Sequence, residues 1–306
     1  MMDTENRNLS EGTRAGFFAR MAAYWLDAYR RIDVVSYEIP TPKLPVGESL
    51  TVAILSDIHA DKRFMPLSRV GEAVAITNAL LPDLIYLGGD LLAQDNWVMT
   101  PESLEDLVQV LGGLTAPLGV FATTGNHDWW DDKETQARVS DTPKMVRLLE
   151  AAGVQVLRNE ARPLPDSPNG PIWVAALDSQ WAYKRKDPYH EGAHDLKAAL
   201  RDVPPEAFSL LLAHEPDIFP SLPKRDLNGP IDLVLSGHTH GGQIKIFNTT
   251  PVLPSIYGSR YAYGHCREEG RDLIVTGGLG CSLLPLRFGV TPEVVLVRIE
   301  GTEPLS

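Results

Sequence analysis

Five short blocks in the 306-residue chain carry side chains able to hold a cation. They are Ser56-Asp57-Ile58-His59, Gly88-Gly89-Asp90, Gly125-Asn126-His127-Asp128, Ala213-His214-Glu215 and Gly237-His238-Thr239-His240-Gly241-Gly242. In an extended segment alternate residues share a face, so Asp57 and His59 can offer a carboxylate oxygen and an imidazole nitrogen to one ion. The glycines before Asp90 let the backbone turn tightly and leave the carboxylate presented. Asn126 supplies a neutral amide oxygen, while His127 beside it points elsewhere and can donate a proton. Taken singly, each block also fits a plainer role: a turn, a surface carboxylate, a core histidine. Together they supply four histidines, two aspartates and one asparagine, enough protein ligands for two neighbouring metal ions. Imidazole and carboxylate suit Mn, Fe or Zn, and no thiolate is involved.

Asp57, Asp90, Asn126, His214 and His238 each lie just beyond an apolar run that reads as a strand. Those runs are 50–55, 84–87, 119–123, 210–213 and 231–235, with further strands expected at 172–177, 273–275 and 294–299. Helical spacing appears over 70–81, 104–111, 144–152 and 196–200. Strands alternating with helices predict an α/β domain with buried sheets. In such sheets ligands bind beyond the carboxyl ends of the strands, so five polar groups scattered through the chain are expected on one rim.

The blocks, taken in order, resemble the motif series of the calcineurin-like metallophosphoesterases over about residues 50–300. The resemblance implies a four-layer αββα sandwich of two mixed β-sheets flanked by helices. It implies one metal held by Asp57, His59 and His240, a second by Asn126, His214 and His238, and Asp90 bridging them. It further implies in-line attack on phosphorus by a hydroxide held between the ions, with His127 protonating the leaving oxygen. Asp128 either orients and charges His127 or simply caps a helix. A narrower likeness, carried by His238 to Gln243, Gly277-Gly278-Leu279-Gly280, Pro285 to Gly289 and Pro292-Glu293, is to the bacterial YkuE/YaeI-like phosphodiesterase branch. That branch implies a phosphodiesterase or pyrophosphatase, with lipid-linked or nucleotide-type diphosphates among the substrates. It also places Arg287 near the site, as a phosphate contact or a surface ion-pair partner. Trp129 and Trp130 read as core packing or as an apolar wall, and His190, His194 and His265 as solvated loop residues.

The net charge of −12 argues against nucleic acid as a partner, because phosphate backbones are held mainly by Lys and Arg. Cys266 and Cys281 are too few for a disulfide framework and read as two small buried side chains or as a pair. No run of membrane-spanning length and no signal-peptide pattern stands out. The expected division is 1–46, a polar start, an amphipathic helix and a Pro-rich connector, followed by the catalytic domain at 47–306. In the segment 13–31, Phe17, Phe18, Met21, Trp25 and Tyr29 recur at helical spacing among Arg14, Arg20, Arg30 and Arg31. Such a helix packs on its own domain, on a partner, or on an anionic lipid surface. The expected location is cytoplasmic, at the inner membrane surface if that segment meets lipid. Three other functions fit less of the sequence: a phosphomonoesterase on the same metals, a catalytically silent scaffold, and a docking protein centred on the helix. A silent scaffold would be expected to have lost ligands, and none is lost here.

Overall fold

The computed structural model describes residues 31–164, 172–185, 191–224, 230–245 and 249–303. Its first sheet contains β1 (Asp33–Thr41), β2 (Ser49–Leu55), β3 (Leu84–Leu87), β4 (Val120–Ala122), β5 (Gln155–Val156) and β12 (Glu293–Gly301). They are ordered β1-β12-β2-β3-β4-β5, parallel except where β12 meets β2. The second sheet contains β6 (Glu160–Pro163), β7 (Ile172–Ala176), β8 (Phe208–Leu212), β9 (Leu233–Ser236), β10 (Gly264–Glu268) and β11 (Arg271–Val275). Its order is β10-β11-β9-β8-β7-β6, with antiparallel pairs only at the two edges. Pro40 and Pro163, which cannot donate to a ladder, fall in the edge strands β1 and β6.

Alternation along the strands explains the layering. In β2, Val52 and Ile54 meet Val174, Leu210, Leu235 and Ile274 of the second sheet, so the two sheets pack face to face. Ala53 and Leu55 point the other way, toward the helices α1 (Leu67–Ala79), α2 (Leu104–Leu111) and α5 (Lys144–Ala151). Helix α1 buries Val70, Ala73, Val74 and Thr77, the i, i+3, i+4, i+7 stripe of a helix lying on a sheet. Helix α2 opens on Ser103, whose Oγ accepts from the Asp106 backbone N–H at 3.3 Å. On the outer face of the second sheet, Leu211, Val234 and Leu273 pack against Ala199 of α6 (Leu196–Leu200) and against Ile218 and Phe219 of a 3₁₀ turn. This is the αββα sandwich expected. Because both faces of each central strand are covered, those strands read as unbroken apolar runs.

The expected strands and helices are found with ends shifted by a few residues. Strand β1 was not anticipated. Part of the segment read as a connector ahead of the domain runs parallel to β12, with Asp33 level with Glu293 and Thr41 with Gly301. Pro40 lies within that strand, while the prolines at 42 and 45 follow it in the turn leading to β2. Two short helices, α3 (Asn126–Trp130) and α4 (Lys133–Gln136), follow β4. Among the described residues no helix is long and apolar enough to cross a membrane. The aromatic segment 13–31 lies outside the described residues, apart from Arg31.

Candidate metal centre

All seven expected ligands meet at the carboxyl ends of strands from both sheets. Asp57 and His59 follow β2, Asp90 follows β3 and Asn126 opens α3 after β4. His214 follows β8, and His238 and His240 follow β9. Each is at most 5% exposed. Asp57, His59, Asp90, His238 and His240 all have positive φ, between 42° and 70°. Left-handed backbone at non-glycine residues costs roughly 1–3 kcal/mol each and persists only where the surroundings fix it. The strain aims the side chains inward. Glycine is required where the ligand loops touch: a Cβ on Gly125 would stand 2.3 Å from Asp90 Oδ1, and one on Gly237 2.3 Å from Asp57 Oδ2.

Two donor groups result. In one, His59 Nε2 lies 3.1 Å from His240 Nε2, which lies 3.4 Å from Asp57 Oδ1. In the other, His214 Nε2 lies 3.3 Å from Asp90 Oδ2, and His238 Nδ1 lies 2.9 Å from Asn126 Oδ1. Asp90 Oδ2 is also 3.6 Å from His59 Nε2, so one oxygen faces both groups. Ligand atoms about 2.0–2.2 Å from a shared ion stand roughly 3–3.5 Å apart, and the observed spacings match. The donor set therefore fits two metal ions bridged by Asp90.

The surrounding atoms hold three of the four ligand histidines in the form a cation needs. At His214 burial acts in that sense too, but Asp90 beside it outweighs burial and pulls the ring well above its ordinary range. His214 Nδ1–H donates to the Gly88 carbonyl at 2.5 Å, leaving Nε2 for coordination. Asp57 accepts from Ser56 Oγ–H at 2.7 Å and from the His238 backbone N–H at 3.0 Å. Burial pushes His59 and His238 down to about 3 and His240 well below its usual range, so all three rings are neutral at physiological pH. Burial also pushes the Asp57 carboxyl up to about 6, against the pull of His214 and with Asp90 adding to the rise. Burial acts on Asp90 in the same sense, but His214 and His127 outweigh it and hold the carboxyl well below its ordinary value.

His127 stands at the edge of the ligand cluster, its ring 5.2 Å from that of His59. Burial opposes its charging, yet Asp90 and Asp131 overcome this and raise its pKa. Nδ1 lies 3.4 Å from Asp131 Oδ2, and Gln94 Nε2 approaches the ring at 3.1 Å. Asp128, expected either to act on His127 or to cap a helix, directs its hydrogen bonds to the cap and adds only a smaller electrostatic pull on the ring. Its Oδ2 accepts from the Asp90 and Gly125 N–H groups, both at 2.8 Å, and its Oδ1 from Leu91 N–H at 3.0 Å. Asp128 thus ties the Asp90 loop to the start of α3, and Asp131, one helical turn beyond His127, is the acid facing the imidazole.

Arg287 also sits elsewhere than expected of a phosphate contact. It is 1% exposed, and Nε donates to Gly280 O and Nη2 to Gly277 O, both at 2.7 Å, beneath His240 Nδ1 at 3.1 Å. Glu293 holds the same loop from the other side, accepting from Thr276 Oγ–H at 3.0 Å and Gly277 N–H at 2.8 Å. Gly280 N–H in turn donates to the Asp57 carbonyl at 2.7 Å. The 277–293 motifs therefore buttress Asp57 and His240 from behind.

Trp129 is fully buried, its Nε1–H donating to Asp178 Oδ1 at 2.8 Å. Trp130 instead walls the site, edge-on to His127 with ring centroids 5.1 Å apart. Its Nε1–H reaches the carbonyl of Trp181 at 2.6 Å, and Trp181 stands edge-on to His238 at 4.7 Å. Sequence reasoning missed Trp181, Gln94 and Asp131. Trp181 follows the end of β7, so the rule that singled out the ligands would have reached it; Asp131 is the i+4 neighbour of His127; Gln94 carries no signal. His194 is exposed in a loop as expected, whereas His265 lies in β10 with Nε2 2.7 Å from Asp272 Oδ1, and His190 is outside the described residues. Cys266 is a half-buried thiol and Cys281 a buried one, with no disulfide between them.

A dinuclear donor set at the strand ends of an αββα sandwich defines a metal-dependent phosphoester hydrolase. Residues 50–242 match the family described as calcineurin-like phosphoesterase, and the chain belongs to that family. It is 29% identical to the uncharacterized metallophosphoesterase YkuE of Bacillus subtilis, over 89% of this chain and 86% of that one. It is 32% identical to the phosphodiesterase YaeI of Escherichia coli, over 81% of each chain. An uncharacterized metallophosphoesterase of Aquifex aeolicus is 29% identical, over 94% of this chain and 96% of its own.

Proposed function

We propose that the protein is a phosphodiesterase whose two metal ions are Mn, Fe or Zn. One ion would be held by Asp57, His59 and His240, the other by Asn126, His214 and His238, with Asp90 shared. When bound, the ions supply positive charge for the phosphate oxygens and lower the pKa of a water molecule. The residues of the chain do the rest. His127, at the lip of the cluster and drawn toward its charged form by Asp90 and Asp131 against the effect of burial, delivers a proton to the leaving oxygen. Asp128 and Gly125 fix the Asp90 loop, so the bridging carboxylate does not wander as charge builds. Arg287 and Glu293 hold the Gly277–Gly280 loop behind Asp57 and His240.

The observation that favours a diester over a monoester is the wall around the centre. Among the described residues lining the pocket there is no lysine or arginine. A monoester dianion or a second phosphate would meet no lysine or arginine there, whereas a diester carries a single negative charge. The wall therefore supports the diester over the diphosphate as well.

We also propose a location in the cytoplasm with segment 13–31 touching the inner membrane surface. In support, the Asp33 N–H donates to the Pro292 carbonyl at 2.9 Å. Asp33, two residues past that segment, thus stands at the end of the sheet that bears the metal ligands.

The test is hydrolysis of a chromogenic phosphodiester beside its monoester by protein loaded with Mn²⁺, with Asp90→Asn and His127→Ala as controls. The expected result is metal-dependent diester cleavage that Asp90→Asn loses and His127→Ala lowers only modestly, because a chromogenic phenolate departs without a proton. Preference for the monoester would keep the metal centre and overturn the diesterase assignment.

A further inference from the structure

The metal centre forms the floor of a cavity of about 290 Å³, reached past His127, His238 and His240. Its walls are apolar. Trp130 and Trp181 stand on one side, and Ile244, Val252, Leu283 and Leu284 on the other. Three of these remain open to solvent at the mouth: Val252 is 68% exposed, Leu283 59% and Leu284 48%. Isolated exposed leucines are commonplace, but apolar side chains gathered around the entrance of a reactive site mark a binding surface. The leucines are also held in place. Gln243, three residues after the ligand His240, donates from Nε2 to the Leu284 carbonyl at 2.8 Å and accepts the Ser282 N–H at 2.7 Å. Leu283 adopts φ 64°, a left-handed conformation that a branched residue takes only under constraint. The loop bearing the leucines is thereby fixed to the turn that carries His240.

We infer that this pocket selects a phosphodiester with one extended apolar substituent, an alkyl or aryl chain laid between the Trp130–Trp181 wall and the Ser282–Leu284 loop. The inference rests on the phosphodiesterase reading and names the kind of diester. Hydrolysis consumes one water: a new P–O bond forms to the water oxygen, and the P–O bond to the leaving group breaks. The leaving oxygen takes a proton from His127. One water proton stays on the product phosphate, the other goes to solvent, and His127 regains a proton from solvent, so the cycle balances. The apolar substituent stays bound outside the ligand cluster throughout, so its contribution falls on binding and orientation and is uniform across chemistries of the leaving group.

The experiment uses the Mn²⁺-loaded full chain and a series of p-nitrophenyl phosphodiesters bearing methyl, butyl or octyl groups, below micelle-forming concentrations. A thymidine 5′-(p-nitrophenyl phosphate) comparator supplies bulk without an apolar chain. The expected result is a rise in kcat/KM of at least about tenfold from methyl to octyl, carried by KM, since each buried methylene is worth a few-fold. The thymidine ester should stay near the methyl ester. Leu284→Asn and Leu283→Asn should flatten the octyl-to-methyl ratio, and a ratio is insensitive to any general loss of turnover. Asn tolerates positive φ, so Leu283→Asn preserves the loop. A flat wild-type ratio beside robust turnover would overturn this inference alone, and so would a steep ratio that neither variant changes. No diester turnover at all, with both metals bound, would bring down the diesterase reading itself. A hexadecyl ester embedded in phosphatidylcholine vesicles separates the sources of the chain: cleavage there assigns it to a bilayer lipid, and cleavage of the dissolved octyl ester only to a free amphiphile.

Discussion

At the scale of single residues, the tetrapeptide Gly125-Asn126-His127-Asp128 divides its work among neighbours that face different partners. His127→Ala should lower kcat by about 10²–10⁴ on a diester with a poor leaving group, and far less on a p-nitrophenyl ester that departs unprotonated. Metal content, read by elemental analysis, should stay at the wild-type level. Asp128→Asn should behave differently. Three backbone N–H groups lose a carboxylate acceptor and one amide N–H group faces them instead, at a cost of about 1–3 kcal/mol visible in denaturant melts. Far from the centre, Cys266 offers a check on the electrostatics. Burial and the adjacent Glu268 push its thiol up to about 11. Because only the thiolate is nucleophilic, its alkylation should be slow at pH 8 and climb as pH rises through that value, while buried Cys281 should react only on unfolding.

Among the elements, the strand ends and the glycine turns carry the site. Gly125→Ala places a methyl 2.3 Å from Asp90 Oδ1, so the Asp90 loop must shift. The expected outcome is loss of the bridging ligand: a metal count below that of the wild type and a stability loss of about 1–3 kcal/mol. The ligands were legible in the sequence because five blocks, each ordinary when taken singly, occur in one order and all follow apolar runs ending at a sheet rim. The core strands were legible because they are covered on both faces. Strand β1 was not, because Val34, Ser36, Glu38 and Pro40 alternate with the apolar residues of an edge strand near several prolines, a pattern shared with extended connectors. Arg287 was located in the right loop but given a partner it does not have, and for Asp128 the capping alternative is the one its hydrogen bonds take up. A carboxylate next to a catalytic histidine, or an arginine among glycines, says nothing of which backbone groups lie opposite until the loops are folded together. Trp181 was within reach of the strand-end rule but passed over for the converse reason. A tryptophan after a strand has no chemistry of its own until Trp130 and His238 are seen beside it.

For the whole molecule, the ligands come from β2, β3 and β4 of one sheet and from β8 and β9 of the other. Any ion bound to this set stabilises the folded state by RT ln(1 + [L]/Kd), about 2.7 kcal/mol at a free concentration a hundredfold above Kd. Chelation with EDTA should therefore lower the melting temperature, and Mn²⁺ should restore it; an unchanged melt would mean that the ions do not bind the native cluster. The position of the donors adds a constraint that the size of the effect alone does not convey. The sheets meet through apolar side chains, which hold layers together without fixing how far one slides over the other. At the rim they are joined instead by directional bonds to shared ions, so the centre acts as a clasp on a sliding seam. Deuterium uptake after metal loading should then fall together at the ends of β2 and β3 and at the ends of β8 and β9, although no residue of the first pair is near the second in sequence.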